Sequence, residues 1–544
     1  MWGLLIAELA LAFIAILGAS VHYMHMLQLE SYQLDGYLRH LKRYKEEWKG
    51  WTLYTGVFAL LAALVLPVIM TMFTGERTNS MIAAHVVIMA VYAALAGYYI
   101  YKELRTPKKK PLVFTKRMKR LCAVHAAAVL FALLIALLIL GYTDTERRLH
   151  LMRITPLALI AAAPWLPLAS GYLAAPIENR INKGFFEQAR QALQARPDLI
   201  KIGITGSYGK TGTKFALASI LSVKYNVFTS ESSVNTPMGL SKLINTRLKP
   251  EHQVFIAEMG ARHTGDIKEL TVLVKPTIGL ITSIGPQHLE TFGDIRTVAA
   301  TKFELLQALP RTGTAIVASD GAWANKLYEK AACEKLLTGV GEGEFDMSAD
   351  EVEVGPFGSR FTLSDKTGES VRCETALLGR HNISNLVLAC ACARKLGMTM
   401  SEIAEGVKRV KPVEHRLQLI PGELNVIDDA FNSNPVGAKE ALRVLHDFPG
   451  RHLIITPGFV EMGEDEDKYN YELGREIASA CDAAILVGPR HTKPILQGLL
   501  KEGFADANIR TVNSLSEATA IIRQFVGAGD TVLFENDLPD NYTK

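Results

Sequence analysis

The twelve residues GITGSYGKTGTK, Gly203 to Lys214, hold the densest set of chemistry-bearing types in the chain. Glycines beside a Lys-Thr pair are what phosphate binding requires. Backbone N–H groups converge on oxygens, an ammonium neutralises them, and a hydroxyl ligates a hard divalent ion. The spacing departs from the common phosphate loop G-x-x-x-x-G-K-[ST]: counting back from Gly209-Lys210-Thr211 puts Ile204 where the first glycine belongs. The flanks still supply the right context. LIKIGIT reads as a strand leading in and KFALASILSVK as a helix leading out. Gly206, Ser207, Tyr208, Gly209, Lys210, Thr211 and Gly212 then sit at a strand–turn–helix junction. Lys210 can neutralise the β- and γ-phosphates of a nucleotide, and Thr211 can ligate Mg²⁺. The plain alternative is a turn that uses glycine for its backbone alone.

Two further residues end predicted strands, where ligands bind in open α/β sheets. Glu258 follows VFIA, and His288 follows IGLITSIGPQ. A carboxylate and an imidazole at neighbouring strand ends could hold a divalent ion beside the phosphates. Taken singly, Glu258 reads more readily as a helix-capping or surface residue and His288 as a satisfied loop histidine.

The elements that must position these groups fall in the last two thirds of the chain. Short apolar runs alternate with helical stretches, the pattern of parallel α/β structure. LIKIGIT, QVFIAEM, TIGLITSI and TAIVAS mark one series of strands, and LNVID, HLIIT, AAILVG and TVLFE a second. Two α/β domains are expected, at 198–415 and 416–544, behind an amphipathic linker helix at 177–197 that lies along a membrane surface.

Residues 1–176 have a different character. Five apolar stretches, near 3–23, 51–73, 81–101, 121–142 and 152–175, have membrane-spanning length. The segments between them carry five, one, nine and two Lys or Arg in order. That alternation puts the N-terminus outside and everything after 176 in the cytoplasm. The first stretch reads as an anchor, because positive charge follows it and no cleavage site is apparent. Glu8, His85 and His125 lie within spans, where an ionisable group marks either a pathway or a helix contact. The net charge of +4 gives no reason to expect a nucleic-acid partner, and the six cysteines form no C-x-x-C pair.

TGSYGKT, NTPMGL, AEMGA, GPQHLETFG followed by ATKFEL, GRHNISNLVLA, EHR and DDAFNSNP occur in this order from about residue 198 onward. Together they resemble the Mur ligase family, the ATP-dependent amide ligases of peptidoglycan assembly, whose phosphate loop lacks the first glycine. The resemblance implies a Mur ligase central domain and a Rossmann-like C-terminal domain. It implies ATP and two Mg²⁺, with Lys210 and Thr211 at phosphate and the first ion and Glu258 and His288 at the second. Lys302 stands where the family often carries a carbamylated lysine; unaided, it reads as an exposed helix lysine. Asn382 and Asn385 match adenine-proximal asparagines, and Arg416 matches a hinge arginine that reaches the γ-phosphate. Asp429, Asn432 and Asn434 match a loop that closes on nucleotide and amine, and Thr236 a position facing the acceptor.

DDAFNSNP, GPQHLETFG and GFVEMG are most similar to the subgroup that adds D-alanyl-D-alanine. Three departures stand out: Gly212 replaces a usual threonine, LFENDLPDNY replaces a Lys-Gly-Ser-Arg-like turn, and apolar helices replace the UDP-sugar domain. Glu535 and Asp537 are then candidates to meet an ammonium. The expected partners are a carboxylate acceptor (a peptidoglycan precursor or lipid-linked peptide), an amine donor and membrane lipids, at the cytoplasmic face of a bacterial cell membrane. The competing readings are a membrane-bound polyglutamate-type synthase, an ATP-binding sensor or scaffold, and an ATP-driven transporter.

Overall fold

The computed structural model describes residues 2–43, 54, 56–57, 77–105, 110–140, 155–231, 233–319, 321–431, 434–460 and 462–536. The chain divides into two compact units, residues 1–181 and 182–538.

The first unit is helical. Among the described residues three helices, Gly3–Leu29, His85–Glu103 and Lys116–Leu138, are long and apolar enough to cross a membrane. A fourth is added if Thr155–Ala161 and Leu166–Gln194, bent by 88°, count as one span. The stretch expected at 51–73 lies outside the described residues except for Tyr54, Gly56 and Val57, and the loop at 143–150 lies wholly outside them. Helices Trp2–Leu29 and Arg77–Arg105 run parallel. Glu8 hydrogen-bonds His85, Gly18 packs on Ala96 and Tyr99, and His25 faces Glu103 at 3.9 Å. Helix Lys116–Leu140 runs the other way, with Met118 and Leu121 beside Met24 and Leu27, and Val129 and Leu133 beside Ala12 and Ile16. His125 Nδ1 is 2.9 Å from Ser170 Oγ. Glu8, His85 and His125 are therefore all engaged in helix–helix contacts. Helix Leu166–Gln194 runs without a break through the boundary expected at 176, with Pro176 inside it.

The second unit holds two sheets. In the first, β1 (Ile200–Thr205), β2 (Val227–Phe228), β3 (Val254–Glu258), β4 (Ile278–Ile281), β5 (Thr314–Ala318) and β6 (Glu334–Val340) continue into β7 (Met347–Gly355), β8 (Gly358–Asp365) and β9 (Ser370–Thr375). The order is β2-β3-β1-β4-β5-β6-β7-β8-β9. Pairing is parallel as far as β7 and antiparallel from β7 to β9. The near-continuous apolar runs of the inner strands follow from burial on both faces. Ile202, Ile204, Val254 and Ile256 face one core, shared with helices Lys210–Leu221, Arg380–Lys395 and Met400–Lys408. Phe255, Ala257 and Val317 face the other.

The second sheet comprises β10 (Gln418–Ile420), β11 (Asn425–Asp429), β12 (His452–Thr456), β13 (Ala483–Val487), β14 (Ile509–Val512) and β15 (Thr531–Glu535). Its order is β10-β11-β15-β12-β13-β14, and only β10 is antiparallel. A doubly covered parallel sheet gathers its loops at the C-terminal strand ends, and the candidate residues lie there.

Candidate active site

β1 leads into the glycine loop, and Lys210 opens helix Lys210–Leu221. Gly209 has φ 79°, and a Cβ there would lie 2.4 Å from Asn385 Oδ1; one on Gly206 would lie 1.9 Å from Thr282 Oγ1. Only glycine fits either place. The side chains of Ser207 and Tyr208 anchor the loop. Ser207 Oγ donates to the Gly285 carbonyl at 2.9 Å, Tyr208 donates to the Pro286 carbonyl, and Thr282 Oγ1 donates to the Tyr208 carbonyl at 2.5 Å. The glycine loop is thereby tied to the segment that ends in His288, whose φ of 51° is left-handed and which precedes the short helix Leu289–Phe292.

Lys210 Nζ donates to the Gly206 and Ser207 carbonyls at 2.7 and 2.9 Å. Burial pushes its ammonium down to about 8, with Glu258 opposing and Arg416 adding to the shift. Glu258 ends β3 and is buried. Its Oε1 accepts from Thr211 Oγ1 and from Asn235 Nδ2, both at 3.1 Å. Its Oε2 accepts no hydrogen bond and faces Lys214 Nζ at 3.4 Å. Lys214 is fully buried and donates to Ser230 Oγ at 2.8 Å.

A buried carboxylate that, among the described residues, has only an ammonium at 3.4 Å on one oxygen, with a hydroxyl and an amide on the other, suits a hard divalent cation. No group of three or more His, Cys, Asp or Glu gathers among the described residues. An ion here would therefore use Thr211, Glu258 and the phosphate oxygens of a nucleotide.

Lys302 departs from the exposed helix lysine that its sequence context alone favours: it is buried on helix Ile295–Gln307. Burial holds its ammonium well below the ordinary lysine range; Lys210 adds to the shift, and Asp266 and Glu304 oppose it. Asn385 Oδ1 accepts from Thr213 Oγ1 at 3.2 Å, and Asn382 Nδ2 donates to the Leu378 carbonyl at 2.8 Å with its Oδ1 facing Gly212. Both asparagines lie on the first turns of helix Arg380–Lys395, against the glycine loop.

Arg416 has its guanidinium 4.6 Å from the centre of the Phe431 ring. Its neighbours His415 and Leu417 have φ of 60° and 47°, a left-handed geometry that costs a non-glycine residue roughly 1–2 kcal/mol. Bonds to the start of the second domain hold that geometry. His415 Nδ1 is 2.7 Å from Asp428 Oδ2, the Leu417 N–H donates to Asp429 Oδ1 at 3.0 Å, and the Phe431 N–H donates to the His415 carbonyl at 3.1 Å. Burial pushes the Asp429 carboxyl up to about 6, while the Leu417 N–H and Arg416 oppose the shift.

Two expected substrate contacts are occupied locally. Thr236 Oγ1 accepts from the Gly239 N–H at 3.2 Å and caps helix Pro237–Arg247. Asn434 Oδ1 accepts from the Gly437 N–H at 2.9 Å and caps helix Pro435–His446. Asn432 and Asp537 lie outside the described residues, and Glu535 is buried in register with Asp429. Sequence reasoning missed Lys214, Ser230 and Asn235. For Lys214 the signal was a lone lysine at the head of the apolar run FALASIL.

The Mur ligase middle domain matches residues 204–393, and the Mur ligase, glutamate ligase domain matches 415–535. UDP-N-acetylmuramoyl-tripeptide–D-alanyl-D-alanine ligase of Escherichia coli K12 is 31% identical over 322 residues, 58% of this chain and 70% of that protein. The enzyme of the same name from Bacillus subtilis 168 is 26% identical, over 61% of this chain and 72% of that protein. Among solved structures, MurF from Acinetobacter baumannii superposes with a TM-score of 0.60 at 27% identity, covering 65% of this chain and 77% of its own. MurF from Thermotoga maritima in complex with ADP shares the fold, with a TM-score of 0.59 at 21% identity over 66% of this chain and 81% of its own.

Proposed function

The chain belongs to the Mur ligase family, and from that premise we propose that it joins a membrane-held carboxylate to an amine at the cytoplasmic face of a membrane. It is an ATP-dependent, ADP-forming ligase of the MurF-like kind. The observation that carries the site is the meeting of Lys210, Thr211, Lys214 and Glu258 at the ends of β1 and β3.

The chemistry follows from the groups present. A carboxylate is a poor electrophile, so one of its oxygens attacks the γ-phosphorus of ATP; ADP leaves and an acyl phosphate forms. The amine attacks the carbonyl carbon, phosphate departs with the bonding pair, and the amine's proton passes to solvent or a nearby base. Lys210 and Arg416 neutralise charge on the transferring phosphoryl group, and positioning supplies most of the rest. Magnesium held by Thr211 and Glu258, with His288 at a second ion, would add charge neutralisation to the phosphates. Lys302, held toward its neutral form by burial, has the amine character needed to take up CO₂ as a carbamate. In this reading Asn382 and Asn385 border the adenine side, and Asp429 borders the approach of the amine.

The acceptor is proposed to be lipid-linked. Among the described residues, three or four helices of spanning length precede the α/β unit in the chain. The nine positive charges of residues 102–120 suit a pyrophosphate or anionic headgroups. The donor is proposed to be an amino acid or a dipeptide such as D-alanyl-D-alanine, which the relatives' name includes. The purified protein is assayed with a lipid-linked and a UDP-linked muramyl tripeptide. Faster phosphate release with the lipid-linked form, dependent on added amine, supports the proposal. Equal rates contradict the lipid-linked acceptor, and release that depends on neither substrate contradicts the ligase.

A further inference from the structure

We propose that Arg117 and Arg120 form a seat for the diphosphate group of a lipid, an inference that rests on the lipid-linked acceptor proposed above and names the residues that hold it. Each guanidinium is fixed by its own partner. Arg120 Nε and Nη2 donate to the two oxygens of Glu178 at 2.6 and 2.9 Å, and Glu178 is buried on helix Leu166–Gln194. The Arg117 guanidinium lies 4.3 Å from the centre of the Tyr32 ring, with Nε 3.7 Å from Glu178 Oε2. That ring is itself anchored. Tyr32 Oη accepts from Gln28 Nε2 at 2.9 Å and is 3.3 Å from Thr115 Oγ1. Gln28 also grips the Val113 backbone, accepting from its N–H at 2.9 Å and donating to its carbonyl at 2.7 Å.

Both arginines keep donors for another acceptor. Glu178 takes two of the five Arg120 N–H groups and approaches Arg117 only at 3.7 Å. The two side chains remain 36% and 38% exposed. Lys116 and Lys119 share the same turns of helix Lys116–Leu140 and make no ion pair among the described residues. Four cations therefore meet one carboxylate. A headgroup with a single phosphodiester brings one negative charge, whereas a diphosphate brings at least two on adjoining phosphorus atoms. Residues three apart on a helix stand about 5–6 Å from each other, which offers each phosphate its own guanidinium fork. The setting is that of a membrane interface: the cluster opens a helix of spanning length, and Val113 and Phe114 beside it are 54% and 59% exposed. Positive charge that only orients a chain in the membrane needs no fixed geometry. Here a buried carboxylate and an anchored ring hold both forks in place.

The test uses the full-length protein in detergent, with binding read by native mass spectrometry. The probes are a polyprenyl diphosphate without sugar, phosphatidylglycerol and inorganic pyrophosphate. The polyprenyl diphosphate binds tightest of the three. Arg117→Gln, which leaves the Arg120–Glu178 pair intact, weakens it about fivefold, the effect of one cation beside an anionic lipid, and changes phosphatidylglycerol binding less. Arg120→Gln combined with Glu178→Gln removes one fork without stranding a buried charge and brings a similar loss. Equal affinity for phosphatidylglycerol reduces the cluster to a general lipid contact, and equal affinity for inorganic pyrophosphate makes it a soluble-anion site. Either result overturns the proposal, as does unchanged affinity in either variant. Turnover separates the seat from the acceptor reading. Where lipid-linked muramyl tripeptide is the better substrate, Arg117→Gln raises its KM and not its kcat, and an unmoved KM overturns the seat alone. A wild type that binds the polyprenyl diphosphate yet uses lipid- and UDP-linked acceptors at equal rates upholds the seat and overturns the lipid-linked acceptor.

Discussion

Each unit buries a carboxylate beside a base, and the two pairs are built differently. In the helical unit, Glu8 meets His85 where two parallel helices pack through Ala12, Ile16 and Ile88. Among the described residues, this pair joins two helices. In the α/β unit, Glu258 is surrounded by groups from the phosphate-loop helix and the 229–236 loop, and it keeps an oxygen that accepts no hydrogen bond. A buried charge thus says little about function until its partners are counted. Groups converging on one oxygen pair from separate segments, beside a phosphate-binding turn, distinguish a site from a fastening.

The comparison breaks most readily at the carboxylates. Glu258→Ala should lower ATP turnover by about a hundred- to a thousandfold, the scale set by loss of charge stabilisation at a transferring phosphoryl group. It also removes the carboxylate that faces the buried Lys214 ammonium, which costs about 3 kcal/mol of stability. Glu8→Ala should destabilise by about 2 kcal/mol, the cost of removing the partner of a buried ring nitrogen, yet leave ADP affinity at its wild-type value. Phosphate release, ADP titration and thermal melting of both variants in detergent decide the matter. Equal loss of turnover would erase the distinction.

A second test sharpens the electrostatics of the site. Burial pushes the Lys210 ammonium down from the ordinary lysine value of 10.5 to about 8 in the folded chain. Its attraction for phosphate is therefore lost as pH rises through that value. ADP affinity should fall by up to about tenfold for each pH unit above 8, and Lys210→Arg should remove the decline. Calorimetric titration at several pH values measures this, and a flat wild-type profile would count against Lys210 as the phosphate cation.

A third test concerns the hinge. Asp429 is raised from 3.8 to about 6, so the folded chain holds that proton more tightly than the unfolded one. The resulting stabilisation is full below about pH 4 and is lost as pH rises through 6. It amounts to at most about 3 kcal/mol. The melting temperature of the wild type relative to Asp429→Asn should therefore be highest near pH 4 and fall toward pH 7. A difference that is constant across this range would show that Asp429 does not titrate there.

The sequence made the inner strands legible because burial on both faces forces apolar runs. β1, β3, β4, β5, β11, β12, β13 and β15 each coincide with one. The antiparallel run β7–β9 was missed. One face of it is exposed, so EVEVGPFGSRFTLS alternates and lacks a continuous apolar core, although its PFG turn was a usable signal. The glycine loop could be read from residue types alone. Lys214, Ser230 and Asn235 could not, because they meet Glu258 only after the sheet brings separate segments together. The caps Thr236 and Asn434 each precede a proline, a helix-start pattern that the family resemblance overshadowed. Lys302 reads as a surface lysine in its helix, and only the packed structure shows it buried.

The central claim is that ATP activates a carboxyl group by phosphorylating it, and isotope transfer tests this most directly. A lipid-linked muramyl tripeptide labelled with ¹⁸O in its terminal carboxylate is turned over with ATP and D-alanyl-D-alanine, and the released phosphate is weighed by mass spectrometry. An acyl phosphate route places one ¹⁸O in each phosphate formed with amide product. Amide product accompanied by unlabelled phosphate would contradict it.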